Sequence, residues 1–213
     1  MSTAFILYGN SSAGKGTVGK KIQFVASHDY TTDLRVIETG EYFRAHPELC
    51  KQAHKGELVE NHIVVEFFKQ RITEFNAGDV VIDSPRTDDQ VALLFEMLLE
   101  EGYEHIYAIY VDTSERNCRV RMQERASKHH RLDDKDFEAI EKRLSAFRQN
   151  WPFVVAALQK YAGKKYFHIN GDQDIVGMER EAKIIAEEAF GEPTKVLGEK
   201  HKKKKKSHKR RRH

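Results

Sequence analysis

Apolar positions along the first 190 residues fall into blocks of two different periods. Residues 4–8 (AFILY) form an unbroken apolar run of strand length, the pattern of a strand buried on both faces. Behind it Val18, Ile22 and Val25 recur at helical spacing, so a helix opens at about Lys15. The strand signal returns at 34–39, 79–83, 106–112 and 165–169. Val91, Leu94, Phe95 and Leu98 place a strong helix over 87–101, ended by Gly102. Another helix is expected from about Ser114 to Ala126, followed by a short basic loop at 127–132. Asp133 then caps a long helix with Phe137, Ile140, Leu144, Phe147 and Trp151 as its stripe, bent or broken at Pro152. A last helix covers 175–190. Strands alternating with helices predict an α/β fold, a parallel sheet with helices on both faces. Residues 40–72 interrupt this alternation. They are polar and helical, broken by Pro47 and Gly56, with Val59, Ile63 and Phe67 as an apolar face, and read as an insertion between two strands. A ligand of such a sheet lies at the carboxyl ends of the strands, where Gly9, Thr39, Asp83 and Asp112 fall.

The turn between the first strand and helix is GNSSAGKGT, residues 9–17. Its backbone N–H groups can face inward, and the helix N-terminus adds partial positive charge. Gly-x4-Gly-Lys followed by a hydroxyl residue, between a strand and a helix, fits a nucleotide-phosphate loop. Lys15 then reaches the terminal phosphates, and Thr17 binds Mg²⁺ or a phosphate. Asp83 can hold a Mg²⁺ water opposite the loop, its bland alternative being a turn cap. Arg121 and Arg125 stand four apart on one helix face, where like charges repel, and Arg131 and Arg143 follow. Glu115 is a favourable partner for Arg119, whereas Arg121 has no acid at that spacing. Guanidiniums without matched carboxylates are explained if the counter-charge is a polyphosphate, since phosphoryl transfer rests on positioning and charge neutralisation. Gln90 admits two readings: the second half of a Thr87-x-x-Gln90 capping box, or an amide that reads a base edge. His129 and His130 are expected to be solvated, and no histidine or cysteine spacing suggests zinc.

Charge divides the chain. The formal net charge is +3, yet residues 200–213 hold ten Lys and Arg and no acid, which leaves −7 for residues 1–199. The segment 192–213 is expected to be a disordered basic tail, with nuclear import, nucleic-acid phosphates or an anionic membrane surface as competing uses. Two cysteines, Cys50 and Cys118, point to a reducing compartment without a disulfide framework. No apolar run approaches the ~20 residues of a membrane span, and the first strand starts too early for a leader. A cytoplasmic location follows, with the tail able to direct a nuclear pool.

Five segments in order resemble the adenylate kinase family of nucleoside monophosphate kinases: GNSSAGKGT, ETGEYFR (38–44), KGELVENHIV (55–64), DSPRTDDQ (83–90) and the short lid 121–143. The resemblance covers nearly all of residues 3–190. It implies one kinase domain over 1–191, an acceptor-binding insertion at about 40–72 and a lid at about 126–133. It implies that Gly9, Ser12, Ala13, Gly14, Lys15, Gly16, Thr17, Arg121 and Arg125 bind ATP. Thr39, Gly40, Arg44, Leu58, Val59, Arg86 and Gln90 bind the acceptor, with AMP favoured. Lys15, Arg86, Arg121, Arg125, Arg131 and Arg143 surround the transferring group, with Mg²⁺ at Thr17 and Asp83. The implied reaction is reversible transfer from ATP to AMP by a monomer, giving two ADP. The alternatives are a kinase of UMP, CMP or a small molecule, and a non-catalytic nucleotide-binding protein whose tail holds nucleic acid. Two departures stand out: Ser11–Ser12 replace a Pro-Gly in the loop, and DSPR is one residue short of Asp-Gly-Phe-Pro-Arg.

Overall fold

Alternate residues of the first strand, β1 (Ser2–Tyr8), explain the layering of the molecule. Ala4, Ile6 and Tyr8 point into one hydrophobic layer, Phe5 and Leu7 into the other. A strand apolar on both faces is stable only when both are covered, and each fully buried Leu or Ile contributes about 1.5–3 kcal/mol. In the computed structural model, which describes residues 2–46, 59–75, 78–129, 134 and 136–191, β1 is the centre of one parallel sheet. Its companions are β2 (Leu34–Glu38), β3 (Asp79–Asp83), β4 (Tyr103–Asp112) and β5 (Tyr166–Asn170), in the order β2–β3–β1–β4–β5. One face carries α1 (Lys15–Asp29), α5 (Glu115–His129) and α7 (Ile175–Phe190), through Val18, Ile22, Met122 and Ala182. The other carries α3 (Asn61–Glu74), α4 (Asp88–Glu100) and the C-terminal half of α6 (Phe137–Ala162), through Phe68, Leu94 and Leu158. The short α2 (Thr39–Ala45) follows β2 directly, so Thr39 opens a helix rather than ending a strand. The α/β architecture is the one expected.

Several expected details differ. The strand expected from Ile106 starts at Tyr103, whose hydroxyl donates to the Gly78 carbonyl at 2.8 Å. Helix α5 runs through 127–129, so the expected loop begins later. Asp136, not Asp133, caps α6, its carboxylate accepting from the Glu138 N–H at 2.9 Å; Asp133 lies outside the described residues. Pro152 does not break α6, which continues for 26 residues. Proline removes one helical hydrogen bond, but Leu144, Val154 and Leu158 are fully buried on either side of it, and that packing holds the helix together. Of the expected stripe, Ile140 and Leu144 are buried and Phe147 packs against the core, whereas Phe137 and Trp151 are exposed; Ala139 joins the buried face. The lid residues 130–133 and the tail from 192 onward also lie outside the described residues. Among those described, no helix is long and apolar enough to cross a membrane.

Candidate functional site

The loop after β1 is shaped by what surrounds it. At Gly9 a Cβ would stand 2.5 Å from the Val111 carbonyl oxygen of β4, so no side chain fits. Asn10 is buried and organises the turn: its Oδ1 accepts from the Ser11 N–H at 2.7 Å and its carbonyl from the Ala13 N–H at 3.1 Å. Ser12 sits at φ 62°, the left-handed region that a side chain disfavours by about 1–2 kcal/mol. The replacement of glycine noted in the sequence therefore falls on a strained position. Ser12→Gly is expected to stabilise the protein by up to about 1 kcal/mol, the relieved strain exceeding the extra chain entropy of glycine. Thermal unfolding would check it, and a lower melting temperature would show that the Ser12 side chain stabilises the loop.

Lys15, the first residue of α1, is buried, and its Nζ donates to the Gly9 and Asn10 carbonyls at 3.0 Å each. The Asp83 carboxylate lies 3.6 Å away at the end of β3. Burial pushes the lysine below its usual pKa range, and Asp83 pulls it back. Asp83 Oδ1 is itself buried without a hydrogen-bond partner. In the first turn of α1 the Thr17 N–H donates to the Gly14 carbonyl at 2.9 Å, whereas those of Lys15 and Gly16 have no acceptor within the helix. Ammonium, helix terminus and a carboxylate with one oxygen lacking a hydrogen bond thus converge where strands β1 and β3 end. Such a place suits a phosphate accompanied by a divalent cation.

Arg121 closes the flank. Its Nη1 donates to the Ala13 carbonyl at 3.0 Å and its Nη2 to the Gly171 carbonyl at 2.7 Å, so it joins the loop after β1 to the loop after β5. Gly171 fits only without a side chain, because a Cβ would overlap the Thr113 hydroxyl, which donates to Ala13 O at 2.8 Å. Asp172 next to it caps α5, its Oδ1 accepting from the Ser114 N–H and hydroxyl at 3.0 Å and from Asn117 Nδ2 at 2.9 Å. These hydrogen bonds hold its pKa low although burial works against them. The loop 170–172 was missed in the sequence, although an Asn-Gly-Asp turn after the last strand marks the same sheet edge.

The region where β2 and β3 end is tied together by Gln90, which is almost wholly buried. Its backbone N–H donates to Thr87 Oγ1 at 3.2 Å, the expected helix cap. Its side chain does not complete a reciprocal box: Oε1 accepts from the Arg86 N–H at 2.7 Å, and Nε2 donates to the Val59 carbonyl at 3.3 Å. Thr39 Oγ1 donates to the Asp83 carbonyl at 2.8 Å, which fastens the ends of β2 and β3. Among the described residues the Arg86 side chain has neither a carboxylate nor a carbonyl partner.

Known proteins resemble this chain along most of its length. A family model described as an AAA domain matches residues 8–141. An adenylate kinase of Thermobifida fusca is 30% identical over 165 residues, 73% of this chain and 84% of its own length. One from Maricaulis maris is 30% identical over 152 residues, 67% and 77% of the two chains. One from Synechococcus sp. is 26% identical over 192 residues, 85% and 95%. The chain belongs to the adenylate kinase family. It is thereby a P-loop kinase of the nucleoside monophosphate class.

In this adenylate kinase family member, the expectation about the arginines needs one correction. Arg125 and Arg143 do have a matched carboxylate. Asp134, its side chain fully buried, accepts from Arg125 Nε at 2.5 Å and Nη2 at 3.1 Å, and from Arg143 Nη2 at 2.8 Å. The pairing escaped the helical spacing rule because Asp134 lies nine residues from each arginine. Arg119 pairs with Glu115 as expected and also with Glu141, while Arg148 reaches Glu115 at 2.7 Å, so α5 and α6 are laced together. Leu58 and Arg131 lie outside the described residues, as do the side chains of Arg44 and His129. Gly40 is within α2. Thr17 stands in the first turn of α1, near Gly16 and Gly14, the left-handed cap of that helix. Among the described residues no cluster of three or more His, Cys, Asp or Glu could hold a metal ion alone. A separate cavity of about 470 Å³ between α1, β2 and α3 is lined by Lys20, Tyr42, Phe67 and Arg71 and includes none of the expected nucleotide contacts.

Proposed function

We propose that this protein transfers the terminal phosphoryl group of ATP to AMP, reversibly, giving two ADP. The observation that carries the reading is the Lys15 ammonium, held at 3.0 Å by two carbonyls of its own loop and ion-paired at 3.6 Å with Asp83, whose Oδ1 has no hydrogen bond. A polyphosphate entering the loop offers Lys15 stronger, charge-assisted partners than those carbonyls. The adenylate kinases to which the chain is similar support the class of reaction.

The residues divide the work. The loop from Gly9 through Ser12, Ala13, Gly14 and Gly16 surrounds the ATP phosphates with amides, and Lys15 follows the transferring group. Arg121 stands beside the loop with its guanidinium on the Ala13 carbonyl, Arg125, Arg143 and Arg86 bring further positive charge, and the resemblance adds Arg131 to them. The resemblance assigns Thr39, Gly40, Arg44, Leu58 and Val59 to the monophosphate. Gln90 reads adenine by exchanging its 3.3 Å bond to Val59 for the base edge. Thr17 and Asp83 are the groups suited to Mg²⁺, which when bound supplies charge neutralisation of the phosphates. The acceptor phosphate is already ionised at neutral pH, so no side chain has to remove a proton. Catalysis comes from in-line placement and fixed positive charge in a site closed to water.

A panel of AMP, UMP, CMP, GMP and no acceptor, each with ATP and Mg²⁺, tests this. Rapid ADP formation with AMP alone is the expected outcome. Turnover with a different monophosphate would overturn the AMP assignment, and ATP binding without transfer to any acceptor would overturn the kinase reading.

A further inference from the structure

Four buried side-chain oxygens among the described residues lack a hydrogen-bond partner: Tyr8 Oη, Ser12 Oγ, Asp83 Oδ1 and Ser84 Oγ. All four stand on the loop after β1 or at the ends of β1 and β3. Ser12 and Asp83 belong to the phosphate and cation site already described. Tyr8 and Ser84 have no part in it, yet they are 1% and 2% exposed. Burying a hydroxyl without a partner is unfavourable, and phenylalanine and alanine would fill the same space without that cost.

Their placement suggests what the hydroxyls are for. The register pairs Leu7 with Asp83, the last residue of β3, so Tyr8 ends β1 and Ser84 directly follows the end of the neighbouring strand. The Tyr8 ring stacks on Phe147 with centroids 5.5 Å apart and leans on Tyr110 at 5.8 Å, so the phenol cannot swing out to water. Arg86 follows Ser84 by two residues, and its side chain is without a partner among the described residues. Its positive charge is felt at the phenol, where it opposes the upward push of burial. Two neutral donors beside a lone guanidinium complement an anion with several oxygens rather than the flat edge of a base.

We propose that Tyr8 and Ser84 donate hydrogen bonds to the phosphate of the acceptor nucleotide held by Arg86. The inference rests on the reading of the acceptor as a nucleoside monophosphate, and names two further groups that recognise it. Both oxygens are closed to water in this conformation, so the phosphate reaches them as the acceptor helices α2 and α3 shift on binding, and water does not compete once it is there.

Calorimetric titration of the full chain with AMP and, in parallel, adenosine tests the proposal in wild type, Tyr8→Phe and Ser84→Ala. Each substitution deletes one oxygen. The expected result is an AMP affinity lowered about five- to twenty-fold in each variant, the scale of a hydrogen bond to a charged group, with adenosine affinity unchanged. The melting temperature of each empty variant should rise, because an unpaired buried hydroxyl has been removed; a merely structural role would not combine higher stability with weaker AMP binding. Unchanged AMP affinity in both variants, or equal losses for AMP and adenosine, would overturn the proposal. The kinase reading fails separately: a wild type that transfers nothing to AMP, yet loses AMP affinity in both variants, would leave the hydroxyl pair standing.

Discussion

Lys15→Met should lower the rate of phosphoryl transfer by at least about 10²-fold, the scale of removing one key electrostatic stabiliser, while the fold survives intact. Methionine fills most of the volume of the lysine stem, so the buried position beside Gly9 and Asn10 is not left as a cavity. The stability of the variant carries a second, less obvious expectation. Burial pushes the folded-state pKa of Lys15 below its ordinary value, which means that the unfolded chain binds this proton more tightly than the folded one. The charged lysine therefore opposes folding at neutral pH. That penalty is relieved only as pH rises from the lowered folded value toward the ordinary ~10.4 of a solvated lysine. Lys15→Met should lack the gain in stability that wild type shows over that alkaline window. Near wild-type turnover in the folded variant would remove Lys15 from the chemistry. Loss of both turnover and stability would mean instead that the two hydrogen bonds from Nζ hold the loop in shape.

A folded but inactive variant is the pattern expected where local rules are broken for a ligand. The sequence-level reading and the structure part company in the same region. The sheet was legible because residues 4–8 and 79–83 are apolar beyond what one buried face needs, and the phosphate loop because its glycines and lysine occur between a strand and a helix. The arginines were legible as a group, but not their pairing, since spacing rules see only three or four residues along a helix and Asp134 acts across nine. Pro152 misled for a related reason: local propensity counts the lost hydrogen bond, while the burial of Leu144 and Val154 that outweighs it is tertiary. The strain at Ser12 was legible from a serine standing where the family carries a glycine, because that argument concerns backbone sterics alone. Tyr8 gave no signal. In the sequence it is one more apolar residue ending a strand, and only the packed core shows its hydroxyl left over.

Asp134→Asn should be strongly destabilising for so conservative a change. One carboxylate, with no exposed side-chain surface, stands between two guanidiniums and accepts from both. Removing its charge leaves Arg125 and Arg143 to repel each other in a partly buried setting, and breaking such a pairing from one side costs about 3–5 kcal/mol. For a domain of this size that corresponds to a fall in melting temperature on the order of 10 °C. The same loss should make the protein more responsive to polyphosphate. In wild type the two arginines are already neutralised in part by Asp134, so an incoming nucleotide adds to a compensated pair. In the variant that compensation by Asp134 is lost, and saturating ATP should raise the melting temperature by more than it does in wild type. Thermal unfolding of both proteins with and without ATP separates the cases. A large fall that ATP restores disproportionately identifies Asp134 as the group that holds two phosphate-binding arginines in register while the site waits for substrate. A fall that ATP does not restore would mean that Arg125 and Arg143 are structural and never meet the nucleotide. A variant as stable as wild type would mean that the pairing contributes nothing to folding.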